Sequence, residues 1–387
     1  MAGPLAHITV LDLSRVMAGP WAGQIFADLG ATVIKVEKPG DGDDTRAWGP
    51  PFLVGDEGPG GTSGYFLSVN RGKGSVTADI TKPEGQALVR RIATSADVVL
   101  ENFKVGTLAR YGLDHAALSA SNPRLIYASI TGFGQDGPRA AQPAYDFIIQ
   151  AMSGLMSITG RGGDEAGSGP QKVGVPIIDI MTGMYAAIAV LAAIERRRES
   201  GQGEYIDLAM LDVGAAFLAN QAMNYLLTGD VPRRTGNRHP NIQPQNVYPC
   251  ASGHLALAVG NNGQFDNLAR VIGRSDLAAD PRFATNAARV RNLALLEPVL
   301  LDAFATRSAD AWQAELDRAG VPASRINSVA EVFAEPQVRH REMVRSLPHA
   351  SGALVPCVVS PLRFRNTPLE YRNAAPQLGE NDRDFKA

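Results

Sequence analysis

Two periods of apolar residues organise the first two hundred positions. "HITVLDLS" (7–14) is a compact apolar run that predicts a buried strand, and "MAGPWAG" follows it as a glycine-containing loop. "WAGQIFADLG" then sets Trp21, Ile25 and Leu29 at helical spacing, with Gly30 as the stop. "ATVIKVEKP" (31–39) is the next strand. Strand, helix, strand in that order opens a parallel sheet with helices outside it. Further strands are expected in "ADVVLENF" (96–103) and "RLIYASITGFG" (124–134). A helix is expected over 82–95, its Pro83 near the start where a missing N–H costs little. Residues 40–64, rich in Gly, Pro and Asp, predict a long surface loop of the functional or disordered kind.

The apolar pattern has one conspicuous interruption. "VPIIDIMTGMYAAIAVLAAIERRR" (175–198) is apolar or small up to Glu195 except at Asp179. Burying a carboxylate there is costly unless something pairs with it or uses it. A helix is expected from about 181 to 199, so Asp179 reads as its N-cap. A carboxylate at a helix start is also a competent nucleophile, held ionised by the helix dipole, and the two readings are compatible. In "AYDFIIQAMSGLMSITG" (144–160), Tyr145 and Asp146 open an apolar helix, with Asp146 as its cap. "GQGEYIDLAML" returns as a strand, and one helix runs through "GAAFLANQAMNYLL".

After Gly229 the period is lost in "GDVPRRTGNRHPNIQPQ", which reads as linker and loop. "NVYPCASGHLALAVG" predicts a hairpin turning at 251–253, followed by helices over 263–272, 293–306 and 309–319. The expected organisation is a large domain over 1–200, a linker strand and helix over 201–229 and a small α/β domain over 230–330. A C-terminal segment, 331–387, follows, and its strand-like "ALVPCVVSPLRF" returns to the first domain.

Composition narrows the function classes. At 387 residues two domains are expected, and 45% hydrophobic with 20% charged residues is ordinary globular composition. A net charge of -2 supplies no basic field for nucleic acid or a membrane surface, so an anionic ligand must be held by local cations. Two cysteines, Cys250 and Cys357, and six histidines without an HExxH spacing point to neither a disulfide framework nor a metal site. A reduced, cytoplasmic setting fits. The N-terminal residues lack a signal-peptide pattern, and the run Met184 to Ile194 is too short to cross a bilayer.

Arg15, Lys38, Arg71, Lys73, Lys104 and Arg110 follow strand ends in the N-terminal half, where open α/β sheets bind ligands. As a set they are candidates to hold a phosphorylated ligand. Gly19 and Gly23 do not form G-x-G-x-x-G, so a nicotinamide cofactor is rejected even though Glu37 mimics the ribose-binding acid. A turn packed closely against the sheet explains these glycines as well.

Seven segments in order carry a resemblance that covers almost the whole chain. They include "VLDLSRVMAGPWAGQIFADLGATVIKVEKPGDGDDTR", "LSVNRGKGSVTADITKPEG", "ADVVLENFKVGTLARYGLD", "NPRLIYASITGFGQDGP", "YDFIIQAMSGLMSITG", "VGVPIIDIMTGMYAAIAVLAAIERRRESGQGEYIDLAMLD" and "VGNNGQFDNLARVIG". Together they resemble the class III coenzyme A transferases. The resemblance implies a Rossmann-like large α/β domain plus a small α/β domain, in an interlocked homodimer. It implies Asp179 as the catalytic nucleophile. It implies coenzyme A contacts at Arg15, Val16, Met17, Ala18, Lys38, Ala78, Asn102, Phe103, Lys104, Arg110, Tyr145 and Asp146. Some members have arginine where this chain has Lys38, which keeps the charge and loses the bidentate fork. Arg238, His239, Pro240 and Asn241 fall where the family has a mobile loop over the active site. Acyl-CoA is the implied co-substrate, without metal, nucleic acid or membrane. "HPNIQPQ…GNNGQF" looks most like the succinyl-CoA-dependent dicarboxylate branch.

Two alternatives differ in class. α-Methylacyl-CoA racemases share the fold, but relatives of that branch carry a histidine and a glutamate where this chain has Tyr145 and Pro249. A phenol of ordinary pKa, ~10, is a poor base at neutral pH. A non-catalytic coenzyme A-binding protein would keep the basic contacts and have no use for Asp179.

Overall fold

The computed structural model describes residues 3–54, 61–163 and 167–386. Part of the expected 40–64 loop, residues 55–60, lies outside them. The chain divides into two compact units. The larger comprises Met1–Leu155, Lys172–Thr228 and Gln337–Ala387; the smaller comprises Met156–Gln171 and Gly229–Pro336. The smaller unit thus draws one segment from well upstream of the sequence-expected boundary near 230.

The larger unit is built on six strands: β1 (Thr9–Asp12), β2 (Thr32–Glu37), β3 (Gly74–Thr77), β4 (Val98–Glu101), β5 (Ile126–Thr131) and β6 (Glu204–Ala209). Their order is β3-β2-β1-β4-β5-β6, and every pairing is parallel. Parallel sheets bury both faces, which is why β4 and β5 read as mostly apolar runs without a polar-out alternation. All ten of their residues are buried. The order reverses between β1 and β4, and open α/β sheets bind ligands outside the strand C-termini at such a switch point.

Four helices matter for the site: α1 (Ala18–Asp28), α2 (Pro83–Ser95), α3 (Asp146–Met152) and α4 (Ile177–Ser200). α2 starts with Pro83 in its first turn, where the sequence expects it. The glycines of α1 serve packing. A Cβ on Gly19 would lie 2.2 Å from the Ser14 side chain, and one on Gly23 would meet Asp12 at 2.8 Å and Lys73 at 3.0 Å. α4 packs on α1 through Gly183, where a Cβ would approach the Ala18 carbonyl to 2.6 Å.

α4 departs from expectation in two ways. It starts four residues early, so Asp179 is not the cap: Pro176 is, and Asp179 is the third helical residue. The early start gives a helix of 24 residues, long and apolar enough by length and composition to cross a membrane, whereas the expectation considered only the run Met184–Ile194. One face of the helix is buried in this unit, at Ile178, Thr182, Ala186, Val190 and Ile194. The single helix expected beyond β6 is two, Met210–Ala216 and Ala219–Thr228, parted near Ala219, which has positive φ.

The C-terminal segment adds an antiparallel hairpin, Val344–Pro348 with Leu354–Val358. Its last turn pairs with the edge strand β3, the Asn381 N–H donating to the Ser75 carbonyl at 2.8 Å. The smaller unit carries the expected hairpin, Gln245–Pro249 with His254–Ala258, extended by Ala323–Arg325. Helices Asn262–Val271, Leu293–Phe304 and Ala309–Arg318 bury Tyr248, Phe265, Phe304 and Trp312 in a core of its own.

Candidate active site

The switch point is stitched by side chain and backbone. The Arg15 N–H donates to Asn102 Oδ1 at 2.8 Å, and Asn102 Nδ2 donates to the Arg15 carbonyl at 2.6 Å. The Arg15 guanidinium lies over the Phe103 ring, 5.2 Å from its centre. Two clefts open from this point and share Arg15 and Phe103. One, of about 390 Å³, lies over the ends of β1, β2 and β3 and is lined by Lys38 and Ala78 among others. The second, of about 190 Å³, is lined by Val16, Met17, Ala18, Asn102, Lys104, Tyr145 and Asp179. The fold thus gathers most of the sequence-expected contacts, together with Asp179, around two clefts that share Arg15 and Phe103. Arg110 lines neither cleft and is exposed.

The loop between β1 and α1 is held in strain. Val16 has φ of +71°, a left-handed conformation that a β-branched residue adopts only under constraint. The constraint is Asp43, which accepts the Val16 N–H at 3.3 Å and is ion-paired with Lys35 at 2.9 Å, both side chains fully buried. Lys35 also donates to the Ser14 carbonyl at 2.7 Å. A buried pair of this kind contributes little net stability but fixes geometry strongly, because breaking it leaves a bare charge inside.

Two cations of the sequence-derived set do not face ligand. Arg71 is buried and grips Asp28 through two hydrogen bonds, 3.0 and 2.6 Å. Lys73 is buried on Asp12 at 2.8 Å, with the Pro20 carbonyl and Asn70 Oδ1 each at 2.9 Å. Both hold the sheet to α1, and from sequence they were indistinguishable from surface cations. Glu37, the ribose-acid mimic, is committed to Arg46 at 2.7 and 2.8 Å. Arg15 and Lys38 are exposed and carry replaceable partners, Asp44 at 3.2 Å and Asp41 at 2.8 Å.

Asp179 has no hydrogen-bonding partner for its carboxylate among the described residues, and it lines the second cleft. Burial first, and the charge of Asp146 second, push its carboxyl up to about 7. Asp146 departs from expectation: Tyr145 caps helix α3, and Asp146 is its first residue. Its carboxylate points to α4, not into either cleft. Tyr65, which the sequence reading missed inside the apolar "SGYFLSVN", lies within electrostatic reach of Asp179. Burial and then the Asp179 charge push its phenol up to about 12, so it remains a hydrogen-bond donor. Trp48 packs edge-on against it at 5.2 Å.

The residues of the expected loop lie in the smaller unit. Arg238 donates through Nε to Glu297 at 2.7 Å. His239 Nδ1 accepts the Asn241 and Ile242 N–H groups at 3.0 and 3.1 Å. Among the described residues no cluster of His, Cys, Asp or Glu is arranged to hold a metal.

A half-buried carboxylate without a hydrogen-bonding partner among the described residues, in a cleft that exposed cations also line, suits covalent chemistry on an activated acyl group. The chain matches the family model of CoA-transferase family III over residues 5–382. It is 49% identical to the succinate–glutarate CoA-transferase of Agrobacterium fabrum over 98% of this chain and 94% of that one. It is 38% identical to the succinyl-CoA:glutarate CoA-transferase of Mus musculus over 98% of this chain and 85% of that one. A crystal structure of a CAIB/BAIF family protein from Brucella suis superimposes with a TM-score of 0.87 at 47% identity, covering 100% of this chain and 99% of that one.

Proposed function

Because the chain belongs to CoA-transferase family III, we propose that it moves coenzyme A from succinyl-CoA to a free dicarboxylate of glutarate size, with Asp179 as covalent nucleophile. The observation that carries this is Asp179 itself, a carboxylate that lines the second cleft and has no hydrogen-bonding partner among the described residues. The Asp179 oxygen attacks the thioester carbonyl of the donor, the C–S bond breaks, and coenzyme A leaves as thiolate. A mixed anhydride remains. The thiolate attacks the aspartyl carbonyl and expels the donor acid, leaving an aspartyl-CoA thioester. The acceptor carboxylate then attacks that thioester, and the same two steps run in reverse. Covalent catalysis divides one difficult exchange into easier ones, and exclusion of water protects the anhydride. Contacts to the distant parts of coenzyme A offset the cost of positioning the reacting end. Arg15, Lys38 and Lys104 are the cations suited to its phosphates: Arg15 and Lys38 have exposed and weak partners, and Lys104 is exposed at the second cleft.

The working molecule is proposed to be an interlocked homodimer in the cytoplasm. What supports a dimer is the outer face of α4, where Met184, Tyr185, Ile188 and Leu191 are exposed side by side at helical spacing.

The test is a mixture of succinyl-CoA and glutarate followed by mass spectrometry. Glutaryl-CoA should appear while total thioester stays constant. In the presence of hydroxylamine, acyl-CoA should leave a hydroxamate at Asp179. Thioester loss without a new acyl-CoA, or an adduct at another acid, would overturn the reading.

A further inference from the structure

Helix α4 begins behind Pro176, whose side chain accepts nothing, so its first N–H groups need acceptors from elsewhere. The Ile177 N–H uses the Val175 carbonyl at 2.8 Å, and the Ile180 N–H uses the Pro176 carbonyl at 3.1 Å. The remaining two, Ile178 and Asp179, both donate to a single oxygen of another element, Asp146 Oδ1, at 2.8 and 3.3 Å. The second Asp146 oxygen accepts from Gln150 Nε2 at 2.6 Å. Gln150 in turn accepts the Val173 N–H at 2.9 Å, so the same pair holds the segment that leads into α4. Asp146 is only 9% exposed.

An acid in a helix's first turn is ordinarily drawn to those same N–H groups and is stabilised by them. Here they are already taken. We propose that Asp146 is the positioning residue of the reaction: its carboxylate caps the helix that carries Asp179, so that the Asp179 carboxylate is left unbonded and faces the cleft. This rests on the reading of Asp179 as nucleophile. Asp146 acts through Asp179 and touches no substrate, which reassigns it from the coenzyme A contact implied by resemblance.

The arrangement has an electrostatic side. A second negative charge at the same helix end opposes ionisation of Asp179, adding to burial. Once ionised, such a carboxylate is more basic and more nucleophilic than one stabilised by helix N–H groups. Tyr65, from helix Gly64–Val69, lies within electrostatic reach of Asp179, and Tyr145 at the head of α3, Arg15, Asp44 and Lys104 line the same cleft.

The experiment is a carboxyl NMR titration of protein labelled with ¹³C-aspartate, with Asp179→Asn assigning the Asp179 signal. In Asp146→Asn the uncharged amide keeps its oxygen for the α4 N–H groups, and the Asp179 titration should move down by about one pH unit. The acid limb of kcat/KM should move with it. kcat should fall and KM for the acyl-CoA should stay unchanged. The new amide faces the Gln150 amide, so a second variant, Asp146→Asn with Gln150→Glu, restores complementary partners and sets the charge farther off. Its titration should fall between the other two. An Asp179 titration unmoved in both variants would overturn the proposal. So would a raised KM with an unmoved acid limb, since that is the mark of a ligand contact. Absence of an Asp179 hydroxamate in the wild type would instead reject the nucleophile reading, and the NMR titration would still show whether Asp146 sets the ionisation of Asp179.

Discussion

At the scale of the residue, function and stability pull against each other at Asp179. Its carboxyl is held near 7 in the folded chain against an ordinary 3.8. Between those pH values the folded state keeps a proton that the unfolded state has lost. Stability therefore falls as pH rises through that window. The full penalty above pH 7 is up to about 4 kcal/mol. Asp179→Asn removes the charge and keeps the shape. It should melt well above the wild type at pH 8, with the difference vanishing near pH 4, as read by thermal melts in matched buffers. Equal melts at pH 8 would mean that the carboxylate is adequately solvated and not held in reserve. Asp179 was legible in the sequence as an acid where none belongs. Asp146 was legible as a helix opener, but not as a cap for another helix, because that role depends on two segments some thirty residues apart meeting in space.

At the scale of the element, the parallel sheet meets a familiar hazard. β3 is an edge strand, and an edge strand offers unpaired N–H and C=O groups to any other chain. The C-terminal segment covers it. Ser75 exchanges hydrogen bonds with Asn381 at 2.8 and 3.1 Å, and the Thr77 N–H donates to Asp382 Oδ1 at 2.7 Å. Removing residues 378–387 should uncover this edge at a cost of about 1–3 kcal/mol for each buried group left unpaired. A lower melting temperature and concentration-dependent self-association by light scattering are the expected results. An unchanged melt and particle size would show that the edge needs no cover. β3 itself was not expected from the sequence, since "GSVT" is four residues with no apolar alternation. Its identity as a strand comes from β2 on one side and the C-terminal segment on the other.

At the scale of the whole molecule, the proposed homodimer has exposed apolar residues to cover. Besides the outer face of α4, helix Ala219–Thr228 exposes Met223, Tyr225, Leu226 and Leu227. Exposed apolar patches of this kind mark interaction sites. Multi-angle light scattering should give twice the 41.0 kDa chain mass, unchanged on dilution. Charged substitutions at Ile188 and Leu226 should break the proposed dimer or prevent soluble expression. A folded, active species of single-chain mass would contradict the homodimer.

The sequence by itself determined the elements whose apolar period is long: β1, β2, the proline-started α2, the runs of β4 and β5, the hairpin and three helices of the smaller unit, and α1 except for its start, since the loop expected over 17–23 is helix from Ala18. Local chemistry suffices there, because burial period and capping are properties of neighbours along the chain. It also marked Asp179, and in resemblance the family. Only the tertiary structure decided which charges work inward. Arg71 and Lys73 became internal struts, Glu37 was committed to Arg46, and Asp146 was turned onto the helix of Asp179. A charged side chain has the same letter whether water or a buried partner satisfies it. The choice is made by desolvation and by the partner that the fold brings within hydrogen-bonding distance, and neither is written in the residue's own neighbourhood.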